Sequence, residues 1–306
     1  MLSLSGELFT VWEPFNHLVP VPFFLPQNPL KRHFHRIRPE ETKAMRRFIG
    51  GKLLLDIKRN QPRPPGLLGP MVKVGNILST GLGYLAGRRK PLFKDPIALM
   101  SAEWMAEEFD ARVVLLARHP AAYVASVKRL SWRTPLEDFT SQRDLLDWLP
   151  EGLAEELLAR VAQRPEPPEG VFDLVDAVLC WKVHHHAVFR YSTEHPNWIL
   201  VRHEDLAMRY LEGFENLYRR LGLSWSKDRA REVEDHCSPT NRVVRGEVVH
   251  EFRQDSRSVI RAWMDALDDR ERDTIARLAS PVWERFYSSG SWMGNFADGR
   301  GGHSSG

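Results

Sequence analysis

Residues Ala111–Leu130 read ARVVLLARHPAAYVASVKRL, and no other stretch restricts the fold as much. Val113, Val114, Leu115 and Leu116 form a continuous apolar run, too short for a helix and long enough for a strand buried on both faces. The run ends in Arg118-His119-Pro120. Proline lacks an N–H and its φ suits the first helical position, so a helix over Ala121–Leu130 opens immediately beyond the strand. At such a junction free backbone N–H groups and the positive end of the helix dipole face outward, where an anion can be held. Arg118 offers a planar fork of donors for a phosphate, and Ser126, about two turns into the helix, adds a hydroxyl on the near side. The pattern points to a phosphate site.

With 306 residues the chain suits one large α/β domain or two small ones. The net charge of +3 fits a protein that binds an anionic cofactor. Lys and Arg are spread along the chain without a dominant basic tract, so no nucleic-acid partner is expected. Cys180 and Cys237 are the only cysteines, which excludes a disulfide framework and a Cys-based zinc site and suggests a reducing compartment. The most apolar segment, Pro14–Leu30, is interrupted by Pro14, Pro20, Pro22, Pro26 and Pro29, which a membrane span would not tolerate. No basic region precedes it as in a signal peptide. A cytoplasmic protein with no membrane span is the expectation.

Two further strand ends carry polar groups. Leu8–Trp12 reads as a short strand halted by Glu13-Pro14, which leaves Glu13 at a carboxyl end, where open parallel sheets place their ligands. Leu92-Phe93-Lys94-Asp95-Pro96 repeats the pattern and puts Lys94 at the same edge. Gly81-Leu82-Gly83-Tyr84-Leu85-Ala86 matches a dinucleotide fingerprint on paper, but no convincing strand precedes it and Gly87 and Pro91 break the helix it should open.

Helical spacing runs through Met45–Ile57, Ile97–Met105, Leu145–Leu149, Leu153–Val161, Leu174–Tyr191, Leu211–Leu221 and Ser226–Cys237. Gln61–Gly69, Arg164–Gly170 and Ser238–Phe252 read as loop or irregular chain. His184-His185-His186 lie on a helix and point about 100° apart, so they do not converge on one metal ion. Trp198–Val201 is another buried strand, followed by Arg202-His203-Glu204-Asp205, whose two acids read as caps for Leu211–Leu221, with Gly222 closing that helix. Asp255-Ser256-Arg257 begins a segment anchored by Trp263, and such a loop can close over a nucleotide with hydroxyl, guanidinium and backbone groups. Asp268–Tyr287 is helical, split or kinked at Pro281. The expected organisation is a single domain over 1–293 and a disordered Gly/Ser-rich tail over 294–306.

The strings WEPFNH, LFKDP, RHPAAYVAS, VRHEDL and DSR with Trp263, in that order, resemble segments of bacterial carbohydrate-type sulfotransferases that use 3′-phosphoadenosine 5′-phosphosulfate (PAPS). The resemblance implies a P-loop-NTPase-like fold, α/β with a mostly parallel open sheet flanked by helices. It implies transfer of a sulfuryl group from PAPS to a hydroxyl or amine of a carbohydrate or small-molecule acceptor, with no metal required. Arg118 and Ser126 take the places that hold the 3′-phosphate, His203 the aromatic place bordering the adenine, and Ser256 and Arg257 the carboxy-terminal PAPS loop. Glu13 matches the base that takes the acceptor proton and Lys94 the lysine near the sulfuryl group. Asp95 is the second candidate base, because Pro96 stands where the cytosolic branch has a histidine.

The pattern departs from the family at the amino end. The family's first strand and the loop that holds the 5′-phosphosulfate have no counterpart before Glu13, and Leu2–Gly6 looks like the end of the helix that follows them. The expectation is therefore a natural start upstream of Met1 or an inactive homologue. A non-catalytic nucleotide-binding or interaction protein is the alternative function. A small-molecule kinase would need a Walker A lysine, and that motif is missing.

Overall fold

The computed structural model of the chain describes residues 1–59, 69–163, 171–241 and 255–296, with the side chains of 58–76 outside that description. Strand β1, Leu8–Trp12, runs parallel to β2, Lys90–Lys94, with Trp12 opposite Lys94. Strand β3, Val114–Ala117, runs parallel to β4, Ile199–Arg202, with Ala117 opposite Arg202. The expected parallel pairing is present, but the single open sheet is not: among the described residues the strands form two separate two-stranded sheets.

Helices supply the rest. Helix α1, Thr42–Arg59, follows a short 3-10 turn at Pro39–Glu41 and continues through Gly50 and Gly51. Helix α2, Gly69–Leu85, passes through Gly81 and Gly83, so the paper fingerprint is helix interior. Helix α3 is Ala102–Phe109, and α4, Pro120–Arg129, opens at the proline as its sequence demands. Then come α5, Glu137–Thr140; α6, Arg143–Trp148; and α7, Glu151–Gln163.

Helix α8, Leu174–Glu194, is capped by Asp173, whose side chain accepts the Asp176 N–H. It is apolar nearly all round, with Val178, Trp181, Val183 and Tyr191 fully buried, and a helix of that kind belongs in the middle of a core. It packs on α4, on α14 (Asp269–Ala279) and on both β3 and β4. The 3-10 turn Ala98–Ser101 after β2 also rests on α8, so helix packing joins the two strand pairs where a ladder was expected. A second core gathers Phe9 and Val11 of β1, Phe15, and Met45, Phe48 and Ile49 of α1.

The remaining helices are α9, His203–Met208; α10, Tyr210–Leu221; α11, Lys227–Cys237; α12, Ser256–Val259; and α13, Trp263–Ala266. Gly222 ends α10 with φ 66°, a left-handed conformation that glycine adopts without steric cost. Helix α14 stops at Ala279, ahead of Pro281, and a short 3-10 turn at Trp283–Arg285 follows.

Four sequence expectations are corrected. Strand β3 is not buried on both faces, since Leu115 and Ala117 point inward while Leu116 is 50% exposed. Glu204 and Asp205 do not cap α10, whose N-cap is Arg209; they belong to the first turn of α9. The DSR segment is not an open loop, because Asp255 accepts the Arg257 N–H and caps α12. The tail does not begin at Gly294, because Phe296 is buried beside Ala207 and Ile260. Residues 297–306, and the loops assigned to Gln61–Gly69, Arg164–Gly170 and Ser238–Phe252, lie wholly or largely outside the described residues. No helix among the described residues is long and apolar enough to cross a membrane.

Candidate functional site

Arg118 and His119 connect β3 to α4, and three buried side chains fix their backbone. Trp181 of α8 donates its indole N–H to the Arg118 carbonyl at 2.8 Å. One turn further on, His185 Nε2 accepts the Arg118 N–H at 3.0 Å. An accepting Nε2 puts the ring proton on Nδ1, which donates to the Trp181 carbonyl at 3.0 Å. Burial lowers the His185 pKa to about 3, so the ring is neutral and available as an acceptor.

The third holder is Glu204. Its Oε1 accepts the His119 N–H at 3.0 Å and its Oε2 accepts the Tyr287 hydroxyl at 2.8 Å. Burial raises the pKa of this carboxyl, and those two bonds together with the charge of Arg118 act in the opposite direction. The expectation of open N–H groups at the junction is thus corrected in part. A buried N–H must find an acceptor, and here the chain supplies its own carboxylate.

The Arg118 side chain stands in contrast. Its guanidinium makes no hydrogen bond or ion pair among the described residues, and its Nε is sealed from solvent without an acceptor. Burial lowers its pKa, with the charge of Glu204 opposing. The equivalent arginine on the neighbouring strand is fully engaged: Arg202 holds Asp205 through Nε and Nη2 at 2.7 and 2.6 Å and the Phe286 carbonyl through Nη1 at 2.9 Å. A sealed guanidinium Nε without an acceptor is costly, and Glu204 acts on Arg118 through its charge without a hydrogen bond to it.

Ser126 lies on α4 with a hydroxyl that has no hydrogen-bond partner among the described residues. His203 begins α9, directly after β4, with Nδ1 sealed and unpartnered. Burial, then the charge of Arg118, lower its pKa to about 3. Trp263 is buried and stacks on His119 with ring centroids 5.2 Å apart. Helix α12 rests on α9, but the Ser256 hydroxyl bonds the carbonyls of Ala207 and Cys237 at 3.2 and 3.1 Å, and the Arg257 side chain is exposed. The Ser256 hydroxyl is thus committed to two backbone carbonyls.

A second group forms at the carboxyl edge of β1 and β2. Lys94 Nζ lies 3.2 Å from Glu13 Oε1 and 5.1 Å from the centroid of the Trp12 ring. Glu13 has φ 42°, a strained conformation for a residue with a side chain; its N–H donates to the Lys94 carbonyl at 3.1 Å, and Oε2 accepts from Asn16 at 3.1 Å. Asp95 accepts the backbone N–H groups of Phe15, Ile97 and Ala98, at 2.6, 2.9 and 3.2 Å. Burial raises its pKa to about 6, against the pull of those bonds. Its oxygens are committed to the turn before α3, which leaves Glu13 as the more available carboxylate.

The structure therefore brings Arg118 and His203 together, brings Glu13 and Lys94 together, and joins the two groups by no hydrogen bond or ion pair among the described residues. Sequence reasoning missed Trp181, His185, Glu204 and Tyr287. The spacing of Trp181 and His185, i and i+4 on one helix face, was the available signal.

His184, His185 and His186 diverge as expected: His184 packs on Phe34, His185 on Trp181 and His186 against Trp148. Glu103, Glu194 and His195 bring possible metal-ligand atoms within 4.8 Å of one another, but Arg36 already pairs with Glu103 and Arg190 with Glu194. No family model, curated protein or solved structure matches the chain.

Proposed function

We propose that this protein binds a 3′-phosphorylated adenine nucleotide at the carboxyl edge of β3 and β4, and that it acts as a PAPS-dependent sulfotransferase on a hydroxyl or amine of a carbohydrate or small-molecule acceptor. The observation that carries the reading is Arg118, whose backbone is held by Trp181 and His185 and whose guanidinium makes no hydrogen bond or ion pair among the described residues. A phosphate would meet it in bidentate fashion, and Ser126 would add a hydroxyl. Neutral His203 offers a flat ring beside the same cation, suited to an adenine edge.

The chemistry follows the resemblance. Glu13 would accept the acceptor proton and Lys94 would stabilise charge on the sulfuryl oxygens or the leaving phosphate. Their mutual contact holds the Glu13 carboxyl beside Lys94 at the edge of β1 and β2. The positive φ at Glu13 supports a functional role, since such strain persists at sites where the surrounding structure enforces it. The second reading is a nucleotide-binding protein without transfer activity, favoured by the placement of Arg118 and of the Glu13–Lys94 pair on two separate strand pairs, with no hydrogen bond or ion pair joining the two groups among the described residues.

Calorimetric titration with 3′,5′-adenosine bisphosphate tests the site, with 5′-AMP and Arg118→Ala as controls. Binding that needs the 3′-phosphate and weakens about 100-fold without Arg118 is expected, the effect of losing a charged, bidentate pair. Equal affinity for both nucleotides, or for both proteins, would overturn the assignment. Sulfate transfer from PAPS then separates the two functional readings.

A further inference from the structure

From Ile57 to Lys94 the sequence holds eight lysines and arginines and no aspartate or glutamate. Helix α2 lies within this stretch and is apolar on more than one face. Its inward face uses Ile77, Thr80 and Tyr84, and Tyr84 meets Phe9 of β1 edge to face at 5.7 Å. Leu78, Leu82 and Leu85 repeat at i, i+4 and i+7 on the other side, and they are 59%, 61% and 81% exposed. Just beyond the helix, Arg88 and Lys90 are exposed and make no ion pair among the described residues.

We propose that the outer face of α2 docks on an anionic phospholipid surface, with Leu78, Leu82 and Leu85 entering the headgroup boundary and Arg88 and Lys90 meeting lipid phosphates. This inference is independent of the nucleotide site. Interfacial helices combine an apolar stripe with basic residues, and binding grows with both. The charge distinguishes the possible occupants. A second copy packing symmetrically through this stretch would offer Arg88 and Lys90 no aspartate or glutamate to pair with, since Ile57–Lys94 contains none. A nucleic acid would meet the basic groups and leave the leucines in water.

The test is flotation of the full chain with vesicles of phosphatidylcholine, with and without phosphatidylserine, at low and high salt. Binding to the anionic vesicles alone, weakened by salt, is expected. Leu82→Ser with Leu85→Ser should abolish it, while circular dichroism remains unchanged because both side chains are already exposed. Arg88→Gln and Lys90→Gln should each weaken it about fivefold. The proposal fails if the chain stays with the aqueous fraction, if it binds neutral and anionic vesicles equally, or if the leucine variants float like the parent. It also fails if sedimentation shows a dimer that the leucine substitutions dissociate.

Discussion

The Glu204 carboxylate sits 3.0 Å from the backbone N–H of His119, at the entrance to α4, and is itself fully buried. It occupies the position at which an external anion was expected, between the His119 N–H and the Tyr287 hydroxyl. Removing it would strand both the His119 N–H and the Tyr287 hydroxyl without partners. Glu204→Ala is expected to lower stability by about 3 kcal/mol in urea unfolding. Glu204→Gln keeps an acceptor for His119 and presents an amide to Tyr287, and should lose about 1 kcal/mol. Equal losses for the two variants would show that the bond geometry is not what holds the junction.

Trp181→Phe isolates the positioning of Arg118. Phenylalanine keeps the ring against His185, at present stacked with centroids 4.0 Å apart, and deletes the donor to the Arg118 carbonyl. Affinity for 3′,5′-adenosine bisphosphate is expected to fall about tenfold, while 5′-AMP binding is unchanged, since one lost hydrogen bond is worth roughly 1 kcal/mol and the guanidinium loses its fixed aim. A structural role alone would weaken both nucleotides alike, which calorimetry distinguishes.

Glu13 separates stability from activity. Its ion pair with Lys94 is partly exposed, 46% on the lysine side, so Glu13→Gln should change the melting temperature little. If Glu13 takes the acceptor proton, the same variant should reduce kcat for sulfate transfer about 10²–10⁴-fold with KM nearly unchanged. Glu13→Gly should remove the same activity and gain up to about 1 kcal/mol of stability, because glycine tolerates the positive φ. A stable, inactive glycine variant is the signature of strain held for function.

The strand ends and helix starts were legible because prolines and apolar runs mark them. Pro14, Pro96 and Pro120 each follow the end of a short strand within three residues, and this alone placed Glu13, Lys94 and Arg118 at sheet edges. Which groups meet across those edges was not legible. Glu204 reads locally as half of a helix-capping acid pair, and only the approach of α9 to β3 turns it inward. Leu116 sits in an apolar run that predicts burial on both faces, yet strand pairing decides burial and β3 has just one partner among the described residues. The commitment of Ser256 to two carbonyls likewise depends on α9 and α11 converging.

Stability should fall in mild acid, because of the histidines that pack the junction. Burial lowers the pKa of His119 and His185 to about 3, whereas an unfolded histidine titrates near 6.5. Between those values the unfolded chain binds protons that the folded chain refuses, so stability is fully present above pH 6.5 and is lost as pH falls toward 3. From pH 6.5 to pH 5 each such histidine contributes a loss of about 1.5 kcal/mol. Asp95 acts with the opposite sign. Its folded pKa is raised to about 6, so its protonation in that interval favours the folded state and offsets roughly one histidine. His184, His186 and His203, lowered to about 4, 4 and 3, add to the histidine side. Urea unfolding at pH 7 and pH 5 is therefore expected to show a lower midpoint at pH 5. His185→Gln should flatten the dependence: an amide oxygen can still accept the Arg118 N–H but takes up no proton on unfolding. A pH dependence as steep as that of the parent would mean that His185 is protonated in the folded protein, and the neutral acceptor assigned to it would have to be withdrawn.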